Sequence, residues 1–183
     1  MPELPEVETV VRQLEPEVEG HRIEELEVLD ARWSRPVEPG KLGKAVSGAT
    51  IERFGRRGKY ILMGLDGART LVMHLRMTGN LVLVEGEEVL DPSEGRRLYE
   101  AERSTSARHL RARFVLDDGR EVWFTDPRRF GEAFLIADAK LDERFAKLGV
   151  EPVADSPADY KKFIQAEIKA YAEQARLAGI KPE

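Results

Sequence analysis

The chain contains no cysteine in its 183 residues, which excludes disulfide bonds and cysteine-ligated zinc. It has no run of about 18 apolar residues, so no hydrophobic membrane-spanning helix is expected. Histidine is scarce. His21, His74 and His109 are scattered at no metal-ligand spacing, and neither a metal nor any other cofactor is expected. The opening residues are acidic, so a secretory signal is not expected and the expected location is the cytoplasm. No internal repeat is present. An excess of positive charge is missing too: the net charge of −5 argues, on its face, against a nucleic-acid partner.

What is present suits a globular protein. Apolar residues make up 42% of the chain, and the length allows one good core plus a small accessory piece. The charge is polarised. Acids crowd into Glu15, Glu17, Glu19, Glu24, Glu25, Glu27 and Asp30. Bases cluster at Arg53, Arg56, Arg57 and Lys59, between Arg96 and Arg113, and at Arg128 and Arg129. Such a protein can meet DNA with one face. For the 96–113 cluster a solvated strand face is the preferred reading.

Val7, Val10, Val11 and Leu14 recur at helical spacing, and Gly20 is a plausible stop. Ile23–Leu29 alternates apolar residues with acids and reads as a strand. Trp33 to Gly43 is rich in Pro and Gly and reads as loop, followed by a short turn of helix. Short strands then follow at 50–54, 59–65, 70–75 and 81–84, with Asp66-Gly67 as a hairpin signal. The polar stretch from Glu85 to Ser106 reads as an exposed insertion. Leu110–Leu116, Arg120–Thr125 and Glu132–Ile136 complete the set. The expected fold is mainly β: an antiparallel eight-stranded β-sandwich with an N-terminal helix and a short C-terminal helical segment. Residues 1–137 form the expected sandwich domain and 138–183 the helical segment. Within the latter, Leu141, Phe145 and Leu148 predict a short helix stopped by Gly149, and Tyr160 to Ala175 carries one apolar stripe.

The first eight residues, Met1-Pro2-Glu3-Leu4-Pro5-Glu6-Val7-Glu8, admit two readings. In one they are only a helix start, with Pro5 in the first turn and acids at the positive end of the dipole. In the other, removal of Met1 frees the secondary amine of Pro2. An α-amino group titrates near ~8, so part of it is neutral and nucleophilic at physiological pH. Glu3 then stands beside it as a proton carrier.

Four stretches carry a resemblance: the opening Met-Pro-Glu-Leu-Pro-Glu-Val-Glu-Thr-Val, Gly55-Arg56-Arg57-Gly58-Lys59-Tyr60, Met73-His74-Leu75-Arg76-Met77-Thr78-Gly79, and Thr125-Asp126-Pro127-Arg128-Arg129-Phe130-Gly131. Together they resemble formamidopyrimidine-DNA glycosylases, the Fpg branch of the Fpg/Nei family, over residues 1 to about 153. The resemblance implies a monomeric base-excision enzyme that meets double-stranded DNA bearing an oxidised purine or an abasic site. It implies Pro2 as the nucleophile, Glu3 as the acid, Glu6 as a buried second glutamate and Lys59 near the flipped nucleotide. It implies that His74 contacts phosphate and that Met77 fills the gap left by the extruded base. Arg128 then pairs with the orphaned base and Phe130 wedges into the stack. By residue type alone, Met77 at a strand tip either inserts into a partner or covers the core.

The chain departs from the family after about residue 153. The four-cysteine zinc finger is absent. Segments 166–170 and 171–182 resemble two helices of the helix–two-turn–helix module, but the Gly-Asn turn between them is missing. The expected consequence is weak, salt-sensitive DNA binding. Two alternatives follow: a DNA-binding or partner-binding module with weak or no turnover, or a structural domain with no nucleic-acid role.

Overall fold

The computed structural model describes residues 4–86, 88–91, 96–98 and 107–149. The chain divides into two compact units, one ending at Arg144 and the other beginning at Phe145. The helical features expected beyond residue 149 lie outside the described residues.

Helix α1 spans Leu4–Val18 and buries Val7, Val10, Val11, Leu14 and Val18. That spacing puts all five on one side of a 3.6-residue turn. Strand β1 (Ile23–Val28) leads into a loop and then α2 (Pro39–Val46). Pro39 starts α2, where a missing N–H costs nothing. The helix therefore begins inside the stretch expected to be loop. The loop itself is anchored: Trp33 is fully buried, its ring edge-on to Phe114 at 6.2 Å and tilted against Phe124 at 5.3 Å.

Next come β2 (Ile51–Arg57), β3 (Tyr60–Leu65), β4 (Arg69–His74) and β5 (Asn80–Glu85). Two short strands follow, β6 (Glu88–Asp91) and β7 (Arg96–Leu98), then β8 (Leu110–Leu116), β9 (Glu121–Thr125) and β10 (Glu132–Ala137). A 3-10 turn at Asp138–Lys140 and α3 (Leu141–Lys147) end the described chain. All eight expected strands are present. The stretch 85–106 differs from its reading as an insertion, because β6 pairs with β5 and β7 pairs with β6. A strand edge leaves N–H and C=O groups unpaired, and this hairpin extends the ladder to satisfy those of β5.

The strands form two antiparallel sheets, one ordered β1-β8-β9-β5-β6-β7 and the other β10-β4-β3-β2. One core unites them. Ile61, Met63 and Leu65 of β3 and Leu71 and Met73 of β4 meet Leu81, Leu83, Phe114 and Phe124 of the other sheet. The two-residue alternation along β3 and β5 selects these faces. The apolar stripe of α1 joins the same core. Val82, Val84 and Trp123 point the other way and form a second small cluster on the outer face of the six-stranded sheet.

The buried face should thus contribute most of what holds the helix in place. Leu14, 0% exposed, packs in the shared core. Leu14→Ala should lower unfolding free energy by about 2–5 kcal/mol in urea titrations. Glu15→Ala, on the exposed side of α1, should change it by no more than about 0.5 kcal/mol.

Candidate functional site

Two loops cross between the sheets side by side. Residues 75–79 run from β4 to β5, and residues 126–131 run from β9 to β10. The residues flanking them are direct partners: His74 opposes Glu132, and Asn80 opposes Thr125. Register therefore fixes the two tips next to each other. Tyr60 also opposes His74, which brings the β2–β3 turn bearing Lys59 to the same end.

Both tips are shaped by their sequences. In the first, the Gly79 N–H donates to the Leu75 carbonyl at 2.9 Å. A Cβ at Gly79 would collide with that carbonyl, so only glycine fits. Arg76 takes the left-handed backbone region, φ 57°. Its N–H donates to Nδ1 of His74 at 2.8 Å, so the neutral imidazole carries its proton on Nε2. Burial chiefly, and then the nearby charges of Arg76 and Lys59, push the His74 pKa below its ordinary value, while Glu132 opposes them. Glu132 also engages the Arg76 guanidinium. Tyr60 packs edge-on to the His74 ring at 4.5 Å.

In the second loop one carboxylate organises the turn. Asp126 is 0% exposed. Its Oδ1 accepts the Arg128 N–H at 3.1 Å and the Thr78 hydroxyl at 2.5 Å. Its Oδ2 accepts the N–H groups of Phe130 and Gly131 at 2.8 and 2.7 Å. The bond to residue i+2 is an Asx turn, which Asp before Pro favours. A Cβ at Gly131 would stand 2.6 Å from the Phe124 ring, which again demands glycine. Arg129 is held in the left-handed region, φ 62°, a conformation that costs an L-residue roughly 1–2 kcal/mol. A bidentate pair with buried Asp30, at 2.5 and 3.0 Å, offsets that cost. The Arg129 guanidinium holds the Asp30 carboxyl below the usual carboxylate range, against the effect of burial.

The result is an exposed trio on fixed tips. Met77 is 44% exposed and Phe130 57% exposed. Met77 is not among the buried core side chains. Arg128 is exposed, and its Nη1 lies 3.8 Å from the Met77 Sδ. Among the described residues its guanidinium has no carboxylate partner. A planar ring, a polarizable thioether and an unneutralised cation suit stacked planar groups with negative charge nearby.

The other expected site residues divide. Lys59 stands in the β2–β3 turn, half-buried. Pro2 and Glu3 lie outside the described residues. Glu6, expected to be buried, is exposed in the first turn of α1. The buried stripe begins at Val7, and Glu6 sits about 100° away from it around the helix. Glu8, also on α1, engages Arg56 of β2. That contact, ahead of the others, lowers the Glu8 pKa. The sequence reading missed Asp126, Thr78, Asp30 and Glu8. Only Asp126 left a local cue, the Asp-Pro turn signal.

At the far end of α1, His21, Asp117 and Asp118 gather within 4.8 Å, a grouping that spacing did not reveal. Arg120 occupies this cluster. It donates to Asp118 and Glu17 at 2.6 Å and to Nε2 of His21 at 3.1 Å, which makes the cluster an ion-pair network. Among the described residues no helix is long and apolar enough to cross a membrane.

Residues 1–133 match the family described as formamidopyrimidine-DNA glycosylase N-terminal domain. A formamidopyrimidine-DNA glycosylase of Chloroflexus aurantiacus is 37% identical over 186 residues, covering 98% of this chain and 61% of the relative. One of Rhizobium etli is 42% identical over 160 residues, covering 85% and 52%. The chain thus spans little more than half the length of these relatives. Among solved structures, Lactococcus lactis Fpg in complex with abasic-site DNA superposes with a TM-score of 0.65 at 29% identity. The match covers 80% of this chain and 48% of that one. The same enzyme with DNA containing N7-benzyl-Fapy-dG gives 0.64.

His74 links this geometry to pH. Its folded pKa lies below the ordinary ~6.5, so the unfolded chain takes up the proton first as pH falls. Its contribution to stability is full above that value and is lost progressively as pH falls towards the folded pKa. Unfolding free energy from urea titrations should therefore fall between pH 7.5 and pH 5.5. His74→Gln should show a smaller fall.

Proposed function

The chain belongs to the formamidopyrimidine-DNA glycosylase family, and on that premise we propose that it is a base-excision DNA glycosylase with abasic-site lyase activity. Its substrate is double-stranded DNA carrying an oxidised purine or an abasic site. The observation that carries this reading is the exposed Met77, Arg128 and Phe130 on two interlocked loops, beside His74 and the Lys59 turn.

An enzyme of this type must extrude its target nucleotide before chemistry, at a cost of about a few kcal/mol. In the proposed mechanism Met77 and Phe130 enter the opened stack, and Arg128 donates to the base left behind. The neutral His74 offers its Nε2–H to a backbone phosphate, and Lys59 lies against the extruded nucleotide. The Pro2 amine, free once Met1 is removed, attacks C1′ of the sugar and the damaged base departs. Glu3 protonates the ring oxygen as the sugar opens. The iminium acidifies the C2′ proton, whose loss expels the 3′ phosphate and cuts the strand. Glu6 and Glu8, in the first turns of α1, flank this chemistry. Intact mass should show Met1 absent.

A second reading is a DNA-binding or partner-binding module with weak or no turnover. Extrusion must be offset by duplex contacts, so the 183-residue chain should cleave an abasic site better than it excises a base. An abasic site requires less unstacking and no glycosidic bond cleavage. Single-turnover rates on an 8-oxoguanine duplex and an abasic duplex should differ accordingly, and both should fall as salt rises. Phe130→Ala should slow excision by roughly tenfold or more and slow abasic cleavage less, since aromatic–base stacking is worth about 1–3 kcal/mol. Equal rates on both duplexes, insensitive to salt, would contradict this account. No cleavage of either would favour the second reading.

A further inference from the structure

We propose that Asp126 is a positioning residue that makes the Met77 tip and the Arg128–Phe130 tip a single wedge, with the Thr78 hydroxyl as the link. The inference rests on the DNA-extruding function proposed above. The two tips belong to different strand connections, 48 residues apart in sequence at the Thr78–Asp126 contact. Thr78 Oγ1 donates to Asp126 Oδ1 and accepts the Arg128 N–H at 3.3 Å. Asp126 Oδ2 meanwhile holds the N–H groups of Phe130 and Gly131. A carboxylate accepts about four hydrogen bonds, and here all four come from the two tips. None is left for a partner, so Asp126 itself touches no DNA.

The arrangement orders the wedge in advance. Two independent tips would each lose conformational entropy on entering the base stack, whereas a joined pair has lost it on folding. Met77 and Phe130 then enter together, and Arg128 arrives with them at the orphaned base. The Arg129–Asp30 pair anchors the same loop to the body of the sandwich from its other side.

Thr78→Val removes the hydroxyl at nearly constant volume, and Thr78→Ser keeps it. Two measurements on the full 183-residue chain test the link. In the first, without DNA, Thr78→Val should speed amide hydrogen exchange at Arg128, Phe130 and Gly131 by about tenfold or more, with core amides unchanged. Thr78→Ser should leave these three amides protected. In the second, Thr78→Val should slow single-turnover excision of 8-oxoguanine by about tenfold while abasic cleavage falls less. Thr78→Ser should restore excision. Unchanged exchange in Thr78→Val overturns the coupling. Acceleration across all core amides overturns it as well, since it marks a general loss of stability. Faster exchange at the three amides with normal excision overturns its role in extrusion. If the unsubstituted chain acts on neither duplex, the functional reading fails, and the exchange measurement still decides the coupling.

Discussion

The carboxylate of Asp126 is the interaction on which the two exposed loop tips depend. It is buried, and a buried charge is tolerated only when its acceptor sites are filled. Four donors fill them, three of which are backbone N–H groups of its own loop. The remaining donor belongs to the neighbouring loop. Deleting the carboxylate would leave the enclosed Gly131 N–H without its acceptor, at a cost of about 1–3 kcal/mol. The left-handed backbone at Arg129, the close packing of Gly131 on Phe124 and the exposure of Phe130 all follow from the turn that Asp126 sets.

Charge is used in two ways. Much of the basic cluster around 53–57 is spent internally: Arg53 pairs with Asp138, Arg56 with Glu8 and Arg57 with Asp142. Arg113 likewise pairs with Glu27 and Glu121. Exposed pairs of this kind add little stability, about 0–1 kcal/mol each. Their consequence is electrostatic, because they silence cations that would otherwise look like a binding face. Arg128 is treated differently. Its neighbour Arg129 takes the buried carboxylate, and Arg128 keeps its charge at the tip beside Met77. A net charge of −5 is therefore compatible with a locally cationic end.

Strand periodicity and Gly-punctuated turns made the sandwich legible from the sequence, and the helical spacing of Val7 to Leu14 did the same for α1. The hairpin of β6 and β7 was not legible, because its polar composition masked strands whose stability comes from pairing to β5. The trio was singled out through the family resemblance, since residue type alone left Met77 open between insertion and covering the core. What holds the trio was not. Thr78 and Asp30 act through partners 48 and 99 residues away, and such contacts leave no local pattern. The burial expected of Glu6 failed because it was carried over with the motif, whereas exposure on α1 is set by the angle to Val7. The Pro-rich stretch reads correctly as a loop up to Pro39, but nothing local to it shows that Trp33 anchors it in the core.

The central claim is that the Pro2 amine does covalent chemistry at the sugar while the joined tips hold the nucleotide out of the duplex. Borohydride reduction of the 183-residue chain on a duplex containing one abasic site tests it most directly, with the cross-linked residue then mapped by mass spectrometry. The account predicts an adduct on Pro2 and its near-complete loss in Pro2→Gly, which lacks the secondary amine. An adduct mapped to Lys59, or a chain that keeps Met1 and still traps, would contradict it.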